Sequence, residues 1–145
     1  MSLRERTGLR DLLYSGWHRP DRIRRFVPYR VAATLKVCDI DWCEACHWCS
    51  WPVALIETQE SSRGPKAAVI TQNLARLAGI PAYSVSYVRG SDNDDIESFG
   101  VRQIAPANPW VQYMTPTEYA GFLVGLRDNH YAESEVCAAK AKGVA

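Results

Sequence analysis

No uninterrupted apolar run in this chain approaches the roughly 20 residues that a membrane-spanning helix needs. Arg4, Glu5, Arg6 and Arg10 stand near the N-terminus with no apolar stretch behind them, which is not the pattern of a secretory signal peptide. An intracellular, cytoplasmic protein with no membrane partner is therefore expected. Histidine is scarce: His18, His47 and His130 are the only three, and none stands at a spacing that pairs a nucleophile with its base. Cysteine–histidine protease chemistry has no support. Internal repeats and low-complexity linkers are also lacking. Net charge is nearly absent, because 17 Lys and Arg face 16 Asp and Glu, and the resulting +1 makes no global case for nucleic acid.

What is present is an ordinary globular composition, 47% apolar and 23% charged, in a chain of 145 residues. That length is normally one domain and suffices to bury a core without covalent staples. We expect one domain over residues 1–131, followed by a flexible tail over 132–145 in which small and charged residues predominate. Charge is unevenly spread. Residues 1–30 carry eight arginines against Glu5, Asp11 and Asp21. Such a segment, with Arg22, Arg24 and Arg25 at its densest point, can track a phosphate backbone, or it is simply a solvated helix.

Pattern along the chain gives a helix over 8–17, a second helical piece near 21–25, and a strand over 35–43. Trp51 to Glu57 is a short apolar run that reads as a strand buried on both faces, pairing with the first as an antiparallel hairpin. A helix over 66–78 follows, with Ala67, Ile70, Leu74, Leu77 and Ala78 as its apolar stripe and Gly79 as its stop. Strands over 82–88 and 99–104 come next. Thr115-Pro116-Thr117-Glu118 is a capping box that opens a last helix to about residue 130. The strand–helix–strand unit over 53–88 implies a parallel pair with a right-handed crossover.

The hairpin places Asp39 and Asp41 on one strand against Glu57 and Gln59 on the next. Neighbouring carboxylates repel unless a cation lies between them, and Mg²⁺ or Mn²⁺ accepts one or two carboxylates while keeping waters for phosphate. Asp39 and Asp41 also read as an ordinary solvated strand face. The string Asp-Ile-Asp-Trp, a turn, then Val-Ala-Leu-Ile-Glu-Thr-Gln resembles the active-site hairpin of the restriction-endonuclease-like (PD-(D/E)XK) nucleases, over about residues 8–130. The resemblance implies an α/β fold, a small mixed β-sheet flanked by helices in the order α-β-β-α-β-β-α, and metal-dependent cleavage of DNA. Asp41 resembles the motif Asp, with Asp39 as the other candidate, and Glu57 resembles the motif Glu. Gln59 stands where the family has lysine, so the fixed positive charge is missing. Lys66 or Arg63 is a candidate substitute. Gln72 resembles a helix glutamine of RecB-type members, or is a solvated helix residue. The departure at Gln59 keeps two other readings open: an inactive nuclease-fold module that binds nucleic acid or protein, and a small zinc-stapled interaction protein.

Cysteines carry that last reading. Cys38, Cys43, Cys46 and Cys49 crowd twelve residues, with His47 among them and Cys137 alone in the tail. Clustered cysteines in a reducing compartment favour metal over disulfides, and Cys43-x-x-Cys46-x-x-Cys49 has zinc-ligand spacing. The bland alternative is a set of reduced thiols. An iron–sulfur cluster is set aside, because in nucleases of this superfamily such cysteines flank the domain. Trp42, Trp48 and Trp51 share the turn and are expected to lie buried beneath the hairpin rather than to stack on bases. Asp92, Asp94 and Asp95 lack the register of a calcium loop.

Overall fold

The computed structural model describes residues 26–32, 34, 40–64, 68–91, 95–135 and 137. The chain divides into two compact units, 1–39 and 40–145. Of the first unit the described part is one helical turn, α1 (Tyr29–Ala32). The helices expected over 8–17 and 21–25, Arg22, Arg24 and Arg25, and residues 35–39 lie outside the described residues.

The second unit is a mixed α/β fold built on one five-stranded sheet. Its elements are β1 (Trp42–Ala45), β2 (Pro52–Glu60), a 3₁₀ turn (Ser61–Arg63), α2 (Val69–Ala78), β3 (Ala82–Arg89), β4 (Ile96–Ala105), β5 (Ala107–Met114) and α3 (Pro116–Glu133). The strands lie in chain order across the sheet. β1 and β2 form the expected antiparallel hairpin, with Trp42 opposite Ile56 and Cys43 opposite Leu55. β2 and β3 run parallel, as strands joined through a helix should, and β3, β4 and β5 follow antiparallel.

Alternation along β2 decides which helix covers which face. Leu55 packs with Ala75 of α2 and with Ala82, Ile104 and Ala105. Ile56, its neighbour, faces the other way into Val85, Val101 and Met114, against Tyr119, Phe122 and Leu123 of α3. The sheet is thus sandwiched, and a central strand buried on both sides needs the near-continuous apolar run that β2 has. Fully burying a side chain such as Ile56 or Val85 stabilises by about 1.5–3 kcal/mol. Aromatic pairs fix α3 on its face, Tyr83 edge-on to Phe122 at 5.0 Å and Phe99 stacked on Tyr119 at 4.2 Å.

Three sequence expectations change. The apolar stripe assigned to α2 is not its packing face: Thr71 and Ala75 are buried, whereas Leu77 is 86% exposed. Small residues let the helix axis approach the sheet closely, and they sit one position from the leucines that hydrophobicity alone selects. A fifth strand, β5, follows β4 where Pro106, Asn108 and Pro109 look loop-like; proline is tolerated because β5 is an edge strand. The last helix continues to Glu133, and Cys137, expected in a frayed tail, is fully buried. Elsewhere the reading agrees. Gly79 ends α2 in the left-handed conformation at φ 69°, and Thr115 and Glu118 close the capping box reciprocally. Among the described residues no helix is long and apolar enough to cross a membrane.

Candidate metal centre

Residues 46–51 connect β1 to β2 in a tight turn. Cys46 N–H donates to the Trp51 carbonyl at 2.7 Å and Ser50 N–H to the Cys46 carbonyl at 2.8 Å. Closing so short a loop puts Ser50 at φ 59°, a left-handed conformation that a serine adopts only under constraint. The turn folds Cys46 and Cys49 to one side, and two backbone donors converge on the Cys46 sulfur: Trp48 N–H at 3.4 Å, and the N–H of Cys49.

The opposing half comes from the other end of the unit. His130 is in the last turn of α3, and Ser134 caps that helix by donating its N–H to the His130 carbonyl at 3.0 Å. The Ser134 hydroxyl then accepts from Cys137 N–H at 3.2 Å, which curls the chain back. Cys137 Sγ lies 3.2 Å from Cys46 Sγ, and His130 Nε2 lies 3.3 Å from Cys49 Sγ. The ligand atoms of Cys46, Cys49, His130 and Cys137 all fall within 4.8 Å of one another, a donor set that could hold a metal ion such as zinc. Zinc bonds of about 2.3 Å to sulfur and 2.0–2.1 Å to nitrogen, at tetrahedral angles, would set neighbouring donors roughly 3.5–3.8 Å apart. The Cys46–Cys137 separation is far longer than a disulfide bond of about 2.05 Å, and the four described cysteines are free thiols.

Electrostatics of the cluster suit a cation. Burial pushes the Cys46 thiol up, but the Cys49 N–H, the Cys137 thiol and the Trp48 N–H stabilise the thiolate and bring it from 9.0 down to about 7. Cys137 moves oppositely, raised to about 12 by burial and by the neighbouring Cys46 sulfur. Two sulfurs in contact cannot both be ionised without a compensating charge, and a divalent ion is such a charge. Tyr131 adds an outer contact. Burial raises the pKa of its hydroxyl, which is bonded to Cys46, and the Arg127 guanidinium sits over its ring, 5.6 Å from the centroid.

Membership of this cluster differs from the sequence assignment. Cys46 and Cys49 belong to it; Cys43 is exposed and not among its donors, and Cys38 lies outside the described residues. His47 is exposed and edge-on to the Trp48 ring. His130 and Cys137 were invisible as ligands because 81 to 91 residues separate them from the turn. A signal did exist: a half-set of two cysteines in a tight turn needs partners, and the remaining Cys and His were few. The three tryptophans are exposed rather than buried beneath the hairpin.

The acidic end of the hairpin is organised differently. Asp41 sits just before β1, where its carboxylate accepts from Thr58 N–H at 2.8 Å and from the Thr58 hydroxyl at 3.3 Å. It thus substitutes for a backbone acceptor at the end of the ladder, beside the residue that follows Glu57. Glu57 is 2% exposed on the α2 face, and its Oε1 accepts from the Thr71 hydroxyl. The Gln59 amide donates to the Gly64 carbonyl, and the Gln72 amide to the Ile104 carbonyl at 3.0 Å, so Gln72 ties α2 to β4. Asp39, Lys66, Asp92 and Asp94 lie outside the described residues. Asp95 closes the β3–β4 loop by accepting from Gly90 N–H through its carbonyl and from Ile96 N–H through its carboxylate. No protein-family model, curated protein or solved structure matches this chain.

Proposed function

We propose that this chain is a zinc-stapled α/β domain directed at nucleic acid, in which Cys46, Cys49, His130 and Cys137 hold one structural Zn²⁺. The convergence of four ligand atoms within 4.8 Å, from two segments at opposite ends of the fold, carries the reading. All four positions are filled by protein, which is the composition of a structural rather than a catalytic zinc site. The ion fastens the hairpin turn to the end of α3, and hence β1 and β2 to the helix covering their sheet. Elemental analysis of the purified full chain tests this: about one zinc per chain supports it, and a metal-free protein with all five thiols titratable at full stability removes it.

A second reading, metal-dependent hydrolysis of DNA phosphodiesters, takes its support from the bond from Thr58 N–H to Asp41, which ties Asp41 to the residue that follows Glu57. Two carboxylates are within what Mg²⁺ or Mn²⁺ requires. When bound there, such an ion would polarise a phosphate and lower the pKa of a water. The chain's own contribution is to hold the acids: Thr58 fixes Asp41, and Thr71 fixes the buried Glu57. Incubating the zinc-loaded protein with labelled DNA and Mn²⁺, wild type against Glu57→Gln, tests this reading separately from the zinc.

A further inference from the structure

Register across the sheet aligns polar residues on the α2 face, from Glu57, buried under α2, out to exposed positions on β4 and β5. Glu57 pairs with Ser84, Ser84 with Arg102, and Arg102 with Val111. The next row is Gln59, Ser86, Gly100 and Tyr113. Laterally paired residues share a face, and the apolar members of these strands confirm which: Leu55, Ala82 and Ile104 are in the cluster under α2. A Cβ at Gly100 would lie 2.7 Å from Ser86 Oγ, 3.3 Å from Val111 Cγ1 and 3.4 Å from Tyr113 Cε1, which puts those three side chains on the same side.

Of the residues in these two rows, one is a cation. Arg102 is exposed, and among the described residues it makes no ion pair. It stands two strands from Glu57, about 10 Å by the usual strand spacing, with only the short Ser84 side chain between them. A guanidinium at that range, with Ser84 as its cross-strand neighbour, presents a fork of donors that matches a phosphate. Tyr113, 77% exposed in the adjoining row, offers a ring on which a base can stack.

We infer that Arg102 is the phosphate-binding cation of this face, contacting a nucleic-acid phosphodiester over the exposed part of β4 and supplying a positive charge where Gln59 has none. The inference rests on the nucleic-acid reading and deepens it. It reassigns the missing charge from Lys66 or Arg63 to the middle of the sheet. Ser84 acts as a neutral donor to the same phosphate, whereas the Ser86 hydroxyl donates to the Gly100 carbonyl at 3.4 Å, and Tyr113 selects an unpaired base.

The experiment measures affinity of the zinc-loaded full chain for a fluorescent single-stranded oligodeoxynucleotide over a salt series, with no divalent ion added. Arg102→Ala should lower the slope of log K against log salt by about 0.7, the share of one phosphate contact on a single strand. Arg102→Lys should keep most of that slope. Arg76→Ala, which removes an exposed arginine of α2, should leave it unchanged. Tyr113→Ala should weaken binding to the single strand more than to a duplex. Wild-type binding by Arg102→Ala, or equal loss in Arg76→Ala, overturns the inference, as does a wild-type chain that binds no strand. Adding Mn²⁺ separates it from the hydrolytic reading. Binding that depends on Arg102 without cleavage leaves the inference standing and removes hydrolysis. Cleavage unaltered by Arg102→Ala does the reverse. Should both hold, Gln59→Lys should restore cleavage in the Arg102→Ala background by a larger factor than in wild type.

Discussion

Cys46 Sγ and Cys137 Sγ lie 3.2 Å apart although 91 residues separate them in the chain. The contact is made by two short backbone devices, a turn that forces Ser50 left-handed and a serine cap that curls the chain after α3. With Cys49 and His130 completing the set, the consequences for metal content come first.

Zinc content should follow the cluster, not the spacing in the sequence. Cys46→Ser and Cys137→Ser should each drop bound zinc from about one per chain toward zero, while Cys43→Ser leaves it unchanged, because Cys43 is outside the donor set. Chelation should lower the melting temperature on the order of 10 °C or more, since binding free energy is folding free energy. Elemental analysis and thermal scans check both.

Acidity provides a second handle. In the metal-free chain the Cys46 thiol titrates near 7, below its ordinary 9.0. Between those values the folded chain carries a thiolate and the unfolded chain a thiol, so stability should rise from pH 7 to pH 9 and fade as pH drops through 7. Cys137, raised to about 12, acts in the opposite sense above pH 9. Thiolate absorbance near 240 nm should report one ionisation centred near 7. With zinc present the affinity should fall as pH falls, because protons compete for the sulfurs and for His130.

Thr71 donates its hydroxyl to the buried Glu57 carboxylate. Thr71→Val keeps the shape and removes the donor, leaving that carboxylate one bond short in a buried place. We expect a loss of about 1–3 kcal/mol in denaturant unfolding. In the double variant with Glu57→Leu, the part of that loss that comes from the Thr71–Glu57 bond should disappear, because neither end of that bond then remains.

Thr115→Ala should cost about 1 kcal/mol through loss of the N-cap of α3, where Glu118 N–H donates to Thr115 Oγ1 at 3.2 Å. Glu118→Ala should cost less, removing only the reciprocal bond to Thr115 N–H. Neither change should alter zinc stoichiometry, since His130 sits at the far end of the helix.

Local signals were legible where physics is local. The apolar run of β2, the capping box at Thr115 and the glycine stop at Gly79 each declare an element without reference to the rest of the chain. β5 was not legible, because Pro106 and Pro109 look like loop residues and only the free edge of the sheet makes them acceptable as a strand. The buried face of α2 was misread for a related reason: Ala75 and Thr71 pack by being small, which a hydrophobicity pattern does not reward. At the candidate site half of the donors could be read from Cys46-x-x-Cys49. The other half depends on where α3 ends in space, which is a tertiary fact.

The distance in sequence between the two halves of the donor set has a consequence during synthesis. A nascent chain that has passed Cys49 holds two of the four donors of this set and neither of the others. His130 arrives only after all five strands exist, and Cys137 after α3 is complete. Domains form on the time scale of translation, at roughly 5–20 residues per second, so several seconds pass in which the turn can bind an ion only weakly. Stable metal capture therefore reports that the sheet has been made and its last helix docked. A chain released before Cys137 would be marked as incomplete by its failure to retain the ion.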